Sequence, residues 1–331
     1  MSNTLRVGVI GCGGMGALLG RHCAALENAS VTGVYDPDGE AAGKVAQELG
    51  ARVYSSHKKL LAGGVDAVIV APPNDLHAPM TIEAAGRGKH VFCEKPMAMS
   101  VADCDAMIRA ADAAGIKLMV GQVLRLFPVF WKSRQIVASG ELGAPFLMSV
   151  VGLGGIDGLA HGWRATVKHS GGVLYEIHVH ELDFMRHVMG EAKSVYASTG
   201  HFTPSKVEFE DVAVVHIRYR SGGIGILHCG TSSSIGRNGM MIQCSEGTLT
   251  NGGFGGPIQY ARFGEQITTI EASGIQKEDP YREELRSWVD SITTGAPMVF
   301  DGRDGRAAVE LAEAAYRSAD TGRVVRLPLK G

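Results

Sequence analysis

A short apolar run followed at once by closely spaced glycines constrains this chain more than any other feature. The run is Leu5–Ile10, and the next residues read Gly11-Cys12-Gly13-Gly14-Met15-Gly16, which has the spacing G-x-G-x-x-G. A stretch with a helical pattern, Ala17–Glu27, follows. Glycines at this spacing between a strand and a helix are typical of a dinucleotide-binding βαβ unit. We therefore predict an α/β fold that begins with a doubly wound parallel sheet.

The fingerprint residues have separate physical roles. Gly11 permits a tight turn, Gly13 lets the backbone approach a pyrophosphate, and Gly16 lets the helix pack closely on the strand. Gly14 and Met15 lie at the helix N-terminus, where backbone N–H groups face the negative charge of the cofactor. All five are expected to belong to a cofactor site.

An acidic residue distinguishes between the two nicotinamide cofactors. Asp36 lies 20 residues after Gly16, just past the second predicted strand, Val31–Tyr35. At that position a carboxylate accepts hydrogen bonds from the hydroxyls of the adenosine ribose. Because a carboxylate also repels a 2′-phosphate, we expect NAD as the cofactor and consider NADP less favoured.

The order of predicted strands and helices changes near residue 123. Before it, strands alternate with helices as far as Lys117–Val120, which predicts βαβ units and a parallel sheet. After it, strand-like runs from Phe146–Leu153 to Gln266–Glu271 predict an α+β domain with a large mixed or antiparallel sheet. We predict a Rossmann domain over residues 1–123 and an α+β substrate-binding and oligomerisation domain over 124–331. The C-terminal helices are candidates to pack back on the Rossmann domain.

Composition excludes several classes of protein. The 331 residues carry a net charge of -2 and 45% hydrophobic side chains, which argues against disorder and against general nucleic-acid binding. No apolar run approaches the roughly 18 residues that a membrane span needs. None of the six cysteines forms a C-x-x-C pair, and the N-terminus does not resemble a signal peptide. We therefore expect free thiols and a cytoplasmic protein.

Two polar segments follow predicted strands of the first domain. Ala71-Pro72-Pro73-Asn74-Asp75-Leu76-His77 follows one strand, and Glu94-Lys95-Pro96 follows another. Open α/β sheets bind ligands at the carboxyl ends of their strands. The candidates to line the cofactor site are therefore Pro72, Asn74, His77 and Glu94, although His77 fits equally well as a cap of the following helix.

The second domain concentrates glycines and titratable side chains in one segment. Trp163-Arg164 precedes Gly171-Gly172-Val173-Leu174-Tyr175-Glu176-Ile177-His178-Val179-His180-Glu181-Leu182-Asp183. Together with the fingerprint, Glu94-Lys95-Pro96 and the closing pattern Gly302…Ala307…Ala319…Gly322-Arg323, this segment resembles the glucose–fructose oxidoreductase, inositol dehydrogenase and rhizopine-catabolism family, usually written Gfo/Idh/MocA. The resemblance covers nearly the whole chain.

The resemblance implies roles for particular residues. The family motif E-K-P places Lys95 near the nicotinamide and the reacting hydroxyl, and in some members the Lys-Pro bond is cis. The family pair D-x-x-x-H falls on Glu176 and His180, and its histidine is usually the acid/base. The chain departs from the family pattern at two positions. Glu176 stands where the family has aspartate, and His178 stands where the family usually has a small residue. The resemblance also implies a homodimer or homotetramer formed through the sheet of the second domain.

Chemistry supports these roles without the family. Oxidising a secondary alcohol requires a hydride acceptor and a base for the hydroxyl proton, and the ordinary pKa of histidine suits that base. We predict catalytic roles for His180, Lys95 and Glu176. If a helix begins near Glu176, His178 points away from the other two, whereas an extended start places Glu176, His178 and His180 on one side.

Two other interpretations of the cluster stay open. The Glu, His and Asp side chains are plausible metal ligands, but NAD supplies a hydride acceptor without a metal, so no metal is expected. The same residues also fit a buried helix face whose polar groups are satisfied within the fold.

Aromatic and basic side chains are the substrate candidates. An indole stacks on a sugar ring, and a guanidinium binds hydroxyls or carboxylates, which favours Trp163, Arg164 and Arg125, with His178 as a further contact. The alternatives are a core position for Trp163 and a surface or interdomain ion pair for Arg125.

Three functions are compatible with these residues. The first is an NAD-dependent dehydrogenase that oxidises a secondary hydroxyl of a cyclic polyol, sugar or inositol. The second is an NAD-dependent glycoside hydrolase or lyase that oxidises its substrate transiently, eliminates a substituent and returns the hydride. The third is a non-catalytic regulator that senses NAD or a sugar, which the presence of Lys95 and His180 disfavours.

Overall fold

The computed structural model describes residues 4–156 and 158–329, which form two units. The first unit contains the chain up to Gln122 together with Tyr281–Arg306, and the second contains Val123–Pro280 and the chain from Ala307. The chain thus leaves the first unit one residue before the boundary that the sequence predicted. The later stretch Tyr281–Arg306 groups with the first unit rather than with the residues around it in sequence.

The first unit is the predicted parallel, doubly wound sheet. Its strand order is β3-β2-β1-β4-β5-β6, with every neighbouring pair parallel, which is the Rossmann order. Strands β1 and β4 are apolar almost throughout because a parallel sheet is covered on both faces. In chain order the elements are β1 (Leu5–Ile10), α1 (Gly14–Ala24), β2 (Ala29–Tyr35), α2 (Gly39–Leu49), β3 (Arg52–Val53), α3 (His57–Ala62), β4 (Ala67–Val70), α4 (His77–Gly86), β5 (His90–Cys93), α5 (Val101–Ala114) and β6 (Leu118–Val120).

The second unit is built on a mixed sheet. Its order is β14-β13-β12-β11-β7-β10-β9-β8-β15, and among the described strands β7 runs parallel to β10 while the other pairs are antiparallel. The elements of the chain after β6 are α6 (Pro128–Ala138), β7 (Pro145–Leu153), α7 (Val167–Ser170), α8 (Val173–Glu176), α9 (Val179–Met189), β8 (Ala192–Gly200), β9 (Val212–Tyr219), β10 (Ile224–Gly230), β11 (Arg237–Cys244), β12 (Gly247–Asn251), β13 (Ile258–Arg262), β14 (Thr268–Ile270), α10 (Pro280–Thr293), α11 (Gly302–Thr321) and β15 (Val325–Arg326). Of these, α10 belongs to the first unit, and α11 begins in the first unit and ends in the second.

Helix α10 contributes core to the first unit. Trp288 is fully buried and meets Phe92 of β5 edge-on, with ring centroids 5.8 Å apart. The first unit therefore needs residues from both ends of the chain.

The two faces of the second sheet differ in character. One face packs against α6 and α9. On the other, a row of paired positions runs through Tyr196, His216, Ile226, Ser149 and Met241. Its apolar members are partly exposed, as expected for a largely antiparallel sheet with one face left open by the described residues.

The segment from Glu176 to His180 matters for function, and the sequence left open whether it begins as a helix or as an extended chain. In the structure it is a break between two helices, since α8 ends at Glu176 and α9 begins at Val179.

Among residues 4–156 and 158–329, no helix has the length and apolar character required to cross a bilayer.

Candidate active site

The fingerprint turn is too crowded for any residue other than glycine at two positions. Gly11 has φ +91, and a Cβ there would lie 2.5 Å from the carbonyl oxygen of Ala71. A Cβ at Gly16 would lie 1.8 Å from the carbonyl oxygen of Gly11. These contacts are the tight turn and the close helix–strand packing for which the fingerprint requires glycine.

The other fingerprint glycines face open space. A Cβ at Gly13 or Gly14 would meet no described atom within 4 Å. Gly13 is the N-cap of α1 and brings no side chain to its first N–H groups, and the first turn contains no acidic residue. Uncapped N–H groups at the end of a helix bind anions, so this loop fits the pyrophosphate of NAD.

Asp36 is oriented by the same loop. The Cys12 N–H donates to Asp36 Oδ2 at 2.7 Å, and the Asp38 N–H donates to Oδ1 at 2.8 Å. Asp38 in turn caps α2 by accepting from the N–H groups of Glu40 and Ala41. The carboxylate of Asp36 is thereby fixed at the end of β2, where the sequence predicted the ribose contact.

The two loops after β4 and β5 are joined through a histidine. The buried ring of His77 has Nδ1 2.7 Å from the carbonyl oxygen of Pro96 and Nε2 3.0 Å from that of Pro72. The Lys95–Pro96 bond is cis, as the family resemblance implied. Buried Glu94 accepts from the Lys95 N–H at 3.1 Å. His77 therefore connects the loop that contains buried Asn74 to the loop that carries Lys95.

In the second unit, the structure brings together three residues that the sequence singled out. The buried Glu176 carboxylate pairs with Arg164, with Nε and Oε1 2.9 Å apart. The Arg164 guanidinium lies 5.2 Å from the centre of the Trp163 ring. Trp163, Arg164 and Glu176 thus bring an aromatic face, a cation and a carboxylate into one cluster. In the sequence, Glu176 lies four residues before His180.

His178 lies between the two helices α8 and α9. It is the N-cap of α9, buried at 3% exposure, with Nδ1 3.3 Å from Glu181 Oε2. A Cβ at Gly152 would lie 3.0 Å from His178 Cε1, so the ring packs directly on β7. Burial alone lowers the pKa of His178, but Cys229 and Glu181 raise it to about 10. The substrate contact predicted for His178 therefore gains no support from this arrangement.

Arg125 forms an ion pair with Asp183 inside the second unit. Its guanidinium donates to Asp183 from Nε at 2.6 Å and from Nη2 at 2.5 Å. The sequence had offered a substrate contact, or a surface or interdomain ion pair, and the structure shows a buried pair within one unit.

Sequence reasoning missed two residues of this region, Glu210 and Tyr316. Both contact the backbone at the start of α8, which ends in Glu176. Their positions in the chain carry no local motif, since they lie in a loop and in the middle of a long helix. Among the described residues, His, Cys, Asp and Glu form no group of three that would hold a metal ion.

The fold and the fingerprint loop define an NAD-binding oxidoreductase, and comparison with known proteins specifies the family. Residues 5–122 match the model of the oxidoreductase family with an NAD-binding Rossmann fold, and residues 130–250 match the GFO/IDH/MocA C-terminal domain. The chain belongs to the Gfo/Idh/MocA family.

Three relatives show the range of chemistry around this chain. The 2,7-anhydro-N-acetylneuraminate hydratase of Escherichia coli is 33% identical over 253 residues, which cover 74% of this chain and 67% of that protein. The myo-inositol 2-dehydrogenase of Thermotoga maritima is 26% identical over 98% of both chains. The crystal structure of the WlbA dehydrogenase from Bordetella pertussis, in complex with NADH and UDP-GlcNAcA, matches with a TM-score of 0.87 and 26% identity over 99% of this chain and 100% of that one.

Proposed function

We propose that this enzyme oxidises a secondary hydroxyl of a cyclic polyol, sugar or inositol and passes the hydride to NAD. The observation that carries the proposal is the buried Glu176 carboxylate, held by Arg164 beside Trp163, four residues before His180. A carboxylate, a cation and an aromatic face are the groups that recognise a hydroxyl-rich ring. Membership of an oxidoreductase family favours an enzyme over a regulator.

The residues divide the reaction between them. NAD, when bound, supplies the hydride acceptor. An imidazole nitrogen of His180 takes the hydroxyl proton, and Lys95 Nζ assists by holding that hydroxyl and sharing the proton. Glu176 orients a neighbouring hydroxyl of the ring, and the ion pair with Arg164 holds the carboxylate in place. Pro72, Asn74 and Glu94 position the cofactor from the strand-end loops.

A second candidate shares the oxidation step. The hydratase relative is 33% identical to this chain, more than the inositol dehydrogenase, and this favours a reaction in which the hydride is returned after elimination. Such an enzyme would change its substrate without net formation of NADH. The two candidates therefore differ in product and not in the first step.

The test combines two measurements on one panel of inositols, free sugars, anhydrosugars and glycosides. Absorbance of reduced nicotinamide reports net oxidation, and chromatography of the same mixtures reports elimination. Steady NADH formation supports the dehydrogenase, and a changed sugar without NADH supports the second candidate. No change in either measurement would contradict both.

Variants test the assigned residues. Lys95→Met and His180→Asn should each lower kcat by about 100-fold or more, because each removes a general acid–base group. The dissociation constant of NAD should change little. Lys44→Met is a matched control, since Lys44 is an exposed lysine that pairs with Glu40 within α2. Turnover near the wild-type rate in either site variant would remove that residue from the mechanism.

The proposal includes a homodimer or homotetramer that covers the open sheet face. The exposed side chains of that face include Tyr196, Val214, Ile226 and Met241. Ile226→Lys and Met241→Lys should lower the mass measured by light scattering, whereas Phe263→Lys, at an exposed apolar residue beyond β13, should not. A wild-type monomer would contradict this part of the proposal.

Cytoplasmic residence is also proposed, supported by six cysteines that are all buried and free among the described residues.

A further inference from the structure

The turn that leads into α8 has an unusual backbone. Gly171 and Gly172 have φ values of +79 and +99, in the left-handed region. The next four residues form α8, whose last residue is Glu176. The position of Glu176 therefore depends on the backbone angles of two consecutive glycines. Glycine restrains the backbone less than any other residue type does.

Two side chains from distant parts of the second unit hold this turn. Glu210 Oε1 accepts from the Val173 N–H at 3.0 Å and from the Tyr316 hydroxyl at 2.5 Å. The Tyr316 oxygen also accepts from the Leu174 N–H at 3.0 Å. The first N–H groups of α8 are thus satisfied by one carboxylate and one phenol, which are themselves hydrogen-bonded to each other.

The fit around these side chains is close. A Cβ at Gly172 would lie 2.4 Å from the Tyr316 oxygen and 3.2 Å from Glu210 Oε1. The ring of Tyr316 stacks on that of Tyr175 within α8, with centroids 5.4 Å apart. Gly172 is therefore required for close approach of the two polar groups as well as for its own backbone angles.

Backbone hydrogen bonds connect this contact to Glu176 and His178. The Glu176 N–H donates to the carbonyl oxygen of Gly172 at 2.9 Å, and the His178 N–H donates to that of Val173 at 3.1 Å. The peptide units that Glu210 and Tyr316 hold on one side thus hold the catalytic segment on the other. A displacement of the turn would move the Glu176 carboxylate away from Arg164.

Burying Glu210 and Tyr316 inside the fold has a free-energy cost. Burial raises the pKa of Glu210, and burial together with Glu210 raises the pKa of Tyr316 well above its usual value. An apolar pair would avoid the cost of removing these two groups from water, but it would leave the N–H groups of Val173 and Leu174 without these acceptors. Conformational specificity at a functional turn is one reason for a fold to retain such groups.

We infer that Glu210 and Tyr316 are positioning residues that fix the Gly171–Gly172 turn and thereby the Glu176 carboxylate for the reaction. This inference rests on the proposed function, because it takes Glu176 as part of the site. Neither residue is assigned contact with the substrate or cofactor. Their effect passes through the backbone of α8.

The decisive variants are Tyr316→Phe, which keeps the ring stack but removes the hydroxyl, and Glu210→Ala, which removes both acceptor oxygens. Each should lower kcat by about 10- to 100-fold, since a small misplacement of a reacting group is costly. The dissociation constant of NAD should stay unchanged. Glu210→Gln keeps an oxygen to accept from Val173 and Tyr316 and should recover most of the rate.

Tyr219 provides a matched control. It is a fully buried tyrosine of the same unit, and its hydroxyl has no hydrogen-bond partner among the described residues. Tyr219→Phe therefore removes a buried hydroxyl without touching the turn and should leave kcat unchanged. Wild-type kcat in Tyr316→Phe would overturn the inference, and so would an equal loss in Tyr219→Phe.

A second measurement separates this inference from the proposed function. Hydrogen exchange of the peptide spanning residues 172–178 should be faster in Tyr316→Phe than in the wild type, whatever the substrate proves to be. Unchanged protection of that peptide would overturn the inference by itself. A wild type that transforms no polyol or sugar would instead contradict the proposed function, and the exchange result would still stand.

Discussion

Arg125 and Asp183 are 58 residues apart in sequence and form a two-pronged ion pair in the interior of the second unit. Their side chains are 6% and 0% exposed. The pair connects the segment Val123–Leu126 to α9, the helix that carries His180. The arginine that the sequence offered to a substrate thus holds the helix of the proposed base.

Breaking this pair should destabilise the fold. Asp183→Asn leaves a buried guanidinium without its counter-charge and should lower the free energy of unfolding by about 3–5 kcal/mol. The double replacement Arg125→Met with Asp183→Leu should lose much less, because it removes both charges. Urea unfolding of the three proteins measures the difference.

The surface of the first unit provides a control for the ion pair. Arg6 and Asp66 have the same two-pronged geometry, but their side chains are 54% and 38% exposed. Arg6→Met should therefore have a much smaller effect than Asp183→Asn. Equal losses at the two sites would show that burial of the Arg125 pair contributes nothing special.

Asp36 should determine the choice of cofactor. Asp36→Asn removes the charge that repels a 2′-phosphate, while its amide oxygen can still accept from the Cys12 N–H. The ratio of the dissociation constants for NADP and NAD should fall by about 10-fold or more, equivalent to about 1.4 kcal/mol. Asp38→Ala should cost about 1 kcal/mol of stability through the lost cap of α2 and leave that ratio unchanged. A wild type that prefers NADP would contradict the assignment.

His178 should make stability depend on pH. Its pKa is about 10 in the folded protein, above its ordinary value, because Cys229 and Glu181 outweigh the effect of burial. A raised pKa means that the charged form stabilises the fold fully below about pH 6.5 and that this stability is lost as pH rises towards 10. The difference in unfolding free energy between the wild type and His178→Gln should shrink over that range. A difference that does not change with pH would mean that the ring is neutral.

Cys229 provides a second test of the same charge. Since it is one cause of the raised pKa of His178, Cys229→Ala should move the loss of stability to lower pH. Denaturant midpoints measured between pH 6 and pH 10 would show the shift. An identical pH profile would leave Glu181 as the relevant partner.

Glu210 should also make stability fall as pH rises, but over a pH range that begins at the ordinary glutamate pKa. Its pKa is raised by burial, so the unfolded chain ionises this carboxyl at lower pH than the folded protein does. The wild type should lose stability relative to Glu210→Gln as pH rises through the ordinary glutamate pKa to the raised one. Thermal unfolding of both proteins at pH 4 and pH 8 checks this, and a larger advantage of the variant at pH 4 would contradict it.

Much of the fold follows from the sequence because the relevant signals are local. The strand Leu5–Ile10 was predicted with its observed bounds, since it is an apolar run followed at once by glycines. The fingerprint glycines have the contacts that their spacing implies. The family assignment rests on the same local motifs and is confirmed.

The rest of the site depends on contacts between distant residues. The helix break at Ile177–His178 was not predicted because packing of His178 on Gly152 overrides helix propensity there. Tyr316 reaches Leu174 across 142 positions of sequence, and no periodicity in a single chain points to such a contact. Hydrophobic pattern predicts which face is buried, but not which polar groups meet inside.

The central strand of the second sheet has a consequence for how the protein is made. β7 pairs with β10 and β11, so Leu147 meets Ile224, made 77 positions later. At a synthesis rate of about 5–20 residues per second, β7 waits roughly 4–15 s for its first partner. Throughout that interval both of its edges are open to pairing with other chains. Nascent chains that stall before β10 should therefore be the most aggregation-prone products of synthesis, and the first unit still awaits Trp288 after strands β7 to β14 have been made.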